Sequence, residues 1–185
     1  MVEGDGAVVK TIRLSKSLER SLEKEARNRK VSLNSLISSV LAKYEEWDRL
    51  AQRFGMMSLP ADELIALLDA LSEAQIEKIA RQCGAGMPRA MMDFWFSRVT
   101  PEIFLKYLGL RSTYQHFVNH EVIVDTEGRF VLTARHEHGR KWSIWSCNYL
   151  AEAIRANFGV EPKFEINGNT YRLECPRLTR LEIIA

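Results

Sequence analysis

The chain has 185 residues, of which 46% are hydrophobic and 27% charged, and its net charge is +2. This composition is ordinary for a folded globular protein and unlike that of a disordered, collagenous or disulfide-rich chain. No apolar run is long enough to cross a membrane, and the first residues lack the basic and apolar regions of a signal peptide, so a cytoplasmic protein without membrane partners is expected. Three widely separated cysteines in no CxxC pair favour reduced thiols.

The positive charge is concentrated near the front of the chain. Residues 1–7 are acidic and are expected to form a disordered tip, whereas Val8 to Ser35 holds eight basic and three acidic residues, a net charge of +5. Such a concentration on a small folded unit is typical of proteins that bind polyanions. A solvated helix face is the commoner explanation of a charge run taken alone.

The same stretch has the pattern of one short strand and two helices. Lys10 to Leu14 alternates, which would turn Ile12 and Leu14 towards a core. Ser32 suits the cap of the second helix, and the first helix is predicted by the spacing of Leu18, Leu22 and Ala26. A lone strand needs a partner strand, and about 40 residues are too few for a stable core. Two chains that pair their strands would meet both needs, so a homodimer is predicted, with a tetramer left open.

The motifs TIRLS and SLNSLI, with the apolar stripe between them, resemble a ribbon-helix-helix DNA-binding domain of the MetJ/Arc type. In that family the paired strands of the dimer lie in the major groove of double-stranded DNA. The resemblance implies base contacts from Val9, Thr11 and Arg13. It also implies phosphate contacts from the start of the second helix, at Ser32, Leu33, Asn34 and Ser35. The expected function is a homodimeric transcriptional regulator, a repressor foremost, and an antitoxin-like protein-interaction module is the alternative.

The remaining residues are expected to form a separate domain. Gly55 and the sequence SLP place a boundary between a DNA-binding domain at residues 8–55 and a sensing or oligomerisation domain at residues 60–185. The second domain begins with helices that bend at Ser72 and break at CGAGMP. It then shows two strands, a helix ending at Gly159, and a hairpin across Asn167 and Gly168. The predicted fold class is α+β, in which a ribbon-helix-helix unit precedes a helical segment and a strand-strand-helix-strand-strand domain.

Two stretches of the second domain are candidates for ligand binding. Arg140 and Lys141 lie where a strand meets the start of a helix, which suits an anion, although both could equally be surface charges. His136 and His138 project from one face of a strand, so with Cys147 they are candidates for the metal site of a metal-responsive repressor. Hydrogen-bonded core histidines are the commoner alternative, and no other cofactor is expected. No phosphate loop, nucleophile elbow or paired-carboxylate pattern is present, so an enzyme is not expected.

Overall fold

A computed structural model describes residues 8–115, 119–127 and 129–176. The chain divides into two compact units, Met1–Glu45 and Glu46–Ala185, so the first unit ends before the boundary expected at residues 55–60. The tip expected at residues 1–7 lies outside the described residues. None of the described helices combines the length and the apolar character needed to cross a membrane.

The first unit consists of two helices, α1 at Lys16–Asn28 and α2 at Leu33–Lys43. The hydroxyl of Ser15 accepts a hydrogen bond from the Leu18 N–H at 3.3 Å, and that of Ser32 accepts one from the Ser35 N–H at 3.0 Å, so each helix begins at a serine cap. Between the helices Lys30 adopts a φ of 56°, in the left-handed region that commonly ends a helix.

The ribbon predicted at the front of the chain is wrong, and with it the fold class that placed a ribbon-helix-helix unit there. Residues 8–15 form no strand, and all four strands of the described chain lie in the second unit. A strand is stable only when its N–H and C=O groups pair with a neighbouring strand, and none of the described residues pairs with this segment. Ile12, predicted to face a core, is 57% exposed.

The second unit begins with helices. A π-helical turn at Tyr44–Asp48 leads into α3 at Arg49–Phe54, which is capped by Gly55 with a φ of 83°. The later helices are α4 at Ala61–Asp69, α5 at Glu73–Phe96, α6 at Pro101–Gln115 and α7 at Gly139–Phe158. The bend predicted at Ser72 is confirmed, because Ser72 and Gln75 form a reciprocal capping box at the start of α5.

Helix α5 runs without interruption through CGAGMP, so the break predicted there is wrong. Gly84 and Pro88 are both buried inside the helix. A Cβ atom added at Gly84 would lie 2.4 Å from the carbonyl oxygen of Tyr149, so the glycine allows α7 to approach very closely. Tertiary packing therefore overrides the low helix propensity of these residues.

Four antiparallel strands form one sheet in the order β1-β2-β4-β3. They are β1 at Asn119–Val124, β2 at Phe130–Arg135, β3 at Lys163–Asn167 and β4 at Thr170–Cys175. Along the chain, two strands precede α7 and two follow it, as predicted from the sequence. Alternate residues of β2 and β4, such as the facing pair Leu132 and Leu173, are buried, and α7 packs against both the sheet and α5. Helix α7 is consequently buried along most of its length and forms the centre of the unit.

Candidate functional site

The first unit carries a surface of unpaired positive charge. Arg27 and Arg29 are paired along α1 with Glu23 at 3.6 Å and Glu25 at 2.6 Å. Six other exposed cations have no carboxylate partner within the described residues, namely Lys10, Arg13, Lys16, Arg20, Lys24 and Lys30. Three of these six follow one another at four-residue steps, which aligns them along one side of α1. We call these six residues the basic surface.

The residues predicted to contact DNA all belong to this unit, but they lack the expected framework. Val9, Thr11 and Arg13 are exposed in the segment before α1, where no paired strand holds them in alternation. At the start of α2 the Ser35 N–H is already bonded to Ser32, as described above. The N–H groups of Leu33 and Asn34, with an exposed Asn34 side chain, belong to the first turn, where a helix has donors without intrahelical partners.

The apolar residues of the first unit are poorly covered. Ala26 and Leu36 are its only buried residues among those described. In contrast, Val40 is 53% and Leu41 61% exposed on α2. This is too little core for a unit of this size to be stable alone.

The rings of His136 and His138, two of the candidates for a metal, stack with their centroids 5.7 Å apart, and the third candidate, Cys147, lies on α7. The Nε2 atom of His136 lies 2.7 Å from the Ser143 hydroxyl, and its Nδ1 accepts a hydrogen bond from the His138 N–H at 3.1 Å. Both ring nitrogens are therefore occupied, and burial lowers the pKa of His136 to about 4. Cys147 is buried, and this burial raises its pKa to about 12. The described part of the chain holds no group of three or more His, Cys, Asp or Glu side chains arranged for a metal.

Arg140 and Lys141, the candidates for an anion site, face carboxylates instead. The Nε atom of Arg140 lies 3.2 Å from Oε1 of Glu73. The ammonium of Lys141 donates to the carbonyl of Asp69 at 2.9 Å and lies 3.8 Å from its carboxylate. These contacts join the start of α7 to α4 and α5.

A small cavity that the sequence did not indicate lies between α6, α7 and the sheet. Its volume is about 30 Å³. The polar residues that line it are Arg111 and Gln115 of α6, His120 of β1 and Tyr171 of β4. Helix α7 contributes Ser146 and the aromatic residues Trp142, Trp145 and Tyr149. We call it the Arg111 cavity.

Arg111 is a half-buried cation without a carboxylate partner among the described residues. Its Nε donates to Oε1 of Gln115 at 2.7 Å, and one Nη donates to the hydroxyl of Tyr107 at 3.2 Å. The guanidinium carbon also lies 5.3 Å from the ring centre of Tyr149. Burial lowers the pKa of Arg111, but the interactions with the phenol groups of Tyr107 and Tyr149 raise it by more. The pKa of Arg111 is therefore above its usual value. The group is therefore a permanent cation.

His120 adds a neutral polar group to the cavity wall. Its Nε2 lies 2.9 Å from the Tyr171 hydroxyl, while its Nδ1 is buried and has no hydrogen-bond partner in the described part of the chain. Burial, together with the nearby charge of Arg111, lowers the pKa of His120 to about 4. At neutral pH the ring is uncharged and one buried nitrogen remains unsatisfied.

The aromatic residues of α7 form a stacked series along the cavity. The rings of Trp142 and Trp145 are 5.1 Å apart, and those of Trp145 and Tyr149 are 4.8 Å apart, each pair with an interplanar angle of 17°. Their spacing of three and four residues is visible in the sequence and places them on one face of α7, but it does not distinguish a cavity wall from core packing. Arg111 and Gln115 lie in the last two turns of α6, and only the tertiary structure brings them beside α7 and the sheet.

Comparisons of the chain with protein-family models, with curated proteins and with solved structures found no match. The basic surface belongs to the first unit and the Arg111 cavity to the second.

Proposed function

We propose that this chain is a cytoplasmic, homodimeric, DNA-binding regulator of transcription. The observation that carries the proposal is the basic surface, with its six exposed and unpaired cations between Lys10 and Lys30. Each cation that approaches a DNA phosphate releases a condensed counterion, and this release is a large part of the binding free energy of DNA-binding proteins. Double-stranded DNA is thus the partner that best matches the charge of the first unit.

Within this proposal, α1 lies along the phosphate backbone. Lys16, Arg20 and Lys24 share one side of the helix, where they can contact phosphates of the same strand. The first turn of α2 offers the N–H groups of Leu33 and Asn34 to a further phosphate. Arg13 precedes α1 and is free to reach a base edge, for which the guanidinium of arginine is well suited.

The dimer is proposed from the exposed apolar residues of the first unit. Val40 and Leu41 on α2, with Leu18 on α1 at 46% exposure, are left in solvent when the chain is taken alone. A second copy would cover this surface and enlarge a core that is otherwise too small. A dimer would also present two basic surfaces to the same DNA, as regulators of palindromic sites require.

The same exposed apolar residues favour one competing function, an antitoxin-like module that binds a protein partner through the first unit. The two functions differ in their dependence on salt. Contacts with phosphates weaken steeply as the salt concentration rises, whereas an apolar protein interface does not.

The test is a binding titration on labelled mixed-sequence and genomic DNA fragments at several salt concentrations. We expect selective, salt-sensitive binding by the wild-type chain. In the triple variant Lys16→Gln, Arg20→Gln, Lys24→Gln, the slope of log K against log [salt] should decrease in magnitude by about 3, since each contact contributes about 1.

A matched control variant removes two lysines and one arginine from the second unit, the same number of positive charges. Lys78, Arg89 and Lys163 are exposed there, and changing all three to glutamine should leave the salt slope unchanged. If both triple variants lose affinity equally, only the net charge matters and the basic surface is not the DNA-binding site. Absence of binding by the wild-type chain at low salt would reject DNA as the partner.

A further inference from the structure

The Arg111 cavity contains a positive charge that no carboxylate of the described residues neutralises. Buried or half-buried charges are normally paired, because removal of an isolated charge from water is costly. A guanidinium has five N–H donors, and Arg111 uses one on Nε and one on Nη in the contacts with Gln115 and Tyr107. The other three donors meet no acceptor in the described part of the chain. An anion with acceptor oxygens would satisfy both these donors and the charge.

The second unsatisfied group, Nδ1 of His120, supports the same kind of ligand. When the Tyr171 hydroxyl donates to Nε2, across 2.9 Å, the ring proton resides on Nδ1. This nitrogen is then a buried donor without an acceptor. Both residues line the cavity, so with this tautomer an acceptor oxygen would satisfy His120 as well as Arg111.

The size and walls of the cavity restrict the anion further. A volume of about 30 Å³ exceeds the ~10–15 Å³ that a single water needs, so the space admits a small polar group and no complete metabolite. The cavity is partly open to solvent, which leaves room outside it for the rest of a ligand. The stacked rings of Trp142, Trp145 and Tyr149 form a mostly apolar wall, which strengthens the attraction between a cation and an anion and suits an uncharged ligand body.

We propose that the Arg111 cavity is a binding site for a small organic monocarboxylate. The carboxylate takes the free donors of Arg111 in the two-pronged geometry that guanidinium groups favour, and it accepts a further hydrogen bond from His120. The uncharged part of the ligand lies against Trp145. This site belongs to the second unit and does not depend on the proposal that the first unit binds DNA.

The four tryptophans provide a built-in readout. Trp142 and Trp145 line the cavity, whereas Trp47 and Trp95 pack against each other at 5.5 Å and do not line it. The experiment is an NMR titration of the full chain, labelled at the indole nitrogens, with acetate and benzoate. The neutral amides acetamide and benzamide serve as matched probes. We expect the signals of Trp142 and Trp145 to shift on addition of a carboxylate and not of an amide, with Trp47 and Trp95 unchanged.

The decisive variant is Gln115→Glu, which keeps the size of the side chain that contacts Arg111 and supplies the missing negative charge. It should weaken carboxylate binding at least tenfold. Gln82→Glu makes the same change at an exposed position of α5 and should have no effect. If Gln115→Glu does not fold, as judged by the signals of Trp47 and Trp95, Arg111→Lys is used instead. It keeps the charge but removes the guanidinium, and it too should weaken binding at least tenfold.

The proposal is overturned by any of three results. The first is the absence of shifts at Trp142 and Trp145 with either carboxylate, and the second is an equal response to the amides. The third is unchanged carboxylate affinity in Gln115→Glu or, where that variant does not fold, in Arg111→Lys. None of these results bears on DNA binding, because the titration contains no DNA and the variants leave the first unit intact.

Discussion

The close approach of α5 and α7 leads to a sharp prediction about two glycines in one helix. Gly84 and Gly86 both lie inside α5, two residues apart. A Cβ at Gly84 would meet the Tyr149 carbonyl oxygen at 2.4 Å and Cβ of Glu152 at 3.0 Å, whereas a Cβ at Gly86 meets nothing within 4 Å. The same substitution by alanine should therefore have opposite effects at the two positions.

The expected changes in the free energy of unfolding combine two contributions, helix propensity and overpacking. Alanine in place of glycine inside a helix stabilises it by about 0.5–1 kcal/mol, because less backbone entropy is lost on folding. Gly86→Ala should gain this amount. At Gly84 the nearest atom belongs to the backbone of a buried helix, so α5 and α7 would have to separate by about 1 Å to restore an ordinary contact of 3.4 Å. Overpacking of this kind costs about 1–3 kcal/mol and outweighs the helix term.

The assay is urea-induced unfolding of the wild-type chain and both alanine variants, followed by circular dichroism. We expect the free energy of unfolding to rise slightly for Gly86→Ala and to fall for Gly84→Ala. The two variants should differ by the overpacking cost, about 1–3 kcal/mol. Equal stability of the two variants would refute the close packing of α5 on α7, because helix propensity cancels between them.

Two further predictions concern titratable groups. Burial lowers the pKa of His120 and His136 from 6.5 to about 4, so the unfolded chain binds protons before the folded chain does. The free energy of unfolding should consequently decrease as the pH falls from about 6.5 to about 4. In thermal melts, His136→Asn should reduce this pH dependence. A wild-type melting temperature that stays constant through this window would contradict the lowered pKa values of the two histidines. Cys147 and Cys175 are buried with pKa values raised to about 12, so a thiol reagent should label only Cys83, which is half-buried, until the chain is unfolded. Rapid labelling of all three thiols in the folded chain would be inconsistent with this core.

The parts of the fold that the sequence predicted are those that local chemistry determines. The Asn167-Gly168 turn, the end of α7 at Gly159 and the start of α5 at Ser72 each depend on a residue that suits one backbone conformation. Contacts within a few residues specify these features. They could be read without knowledge of the rest of the molecule.

The sequence-based predictions failed where contacts between residues far apart in the chain determine the structure. The alternation of residues 10–14 predicted a strand, but a strand also needs a neighbouring strand, and the described part of the chain places none beside this segment. Gly84 and Pro88 indicated a break, yet packing against α7 keeps α5 continuous. The Arg111 cavity combines α6, α7 and two strands, so no local pattern could have indicated it.

The order of the strands has a consequence for how the second unit acquires its structure. Strand β4 follows the others in the chain, yet it lies between β2 and β3 in the sheet. On a ribosome, β1 and β2 can form a hairpin early, but β2 lacks its second neighbour until residues Thr170–Cys175 have emerged. Until then the inner face of β2, including Phe130 and Leu132, has no completed sheet around it. Folding of this unit is therefore expected to be late and cooperative, and a nascent chain that stalls before β4 would expose an apolar surface of the kind that chaperones bind.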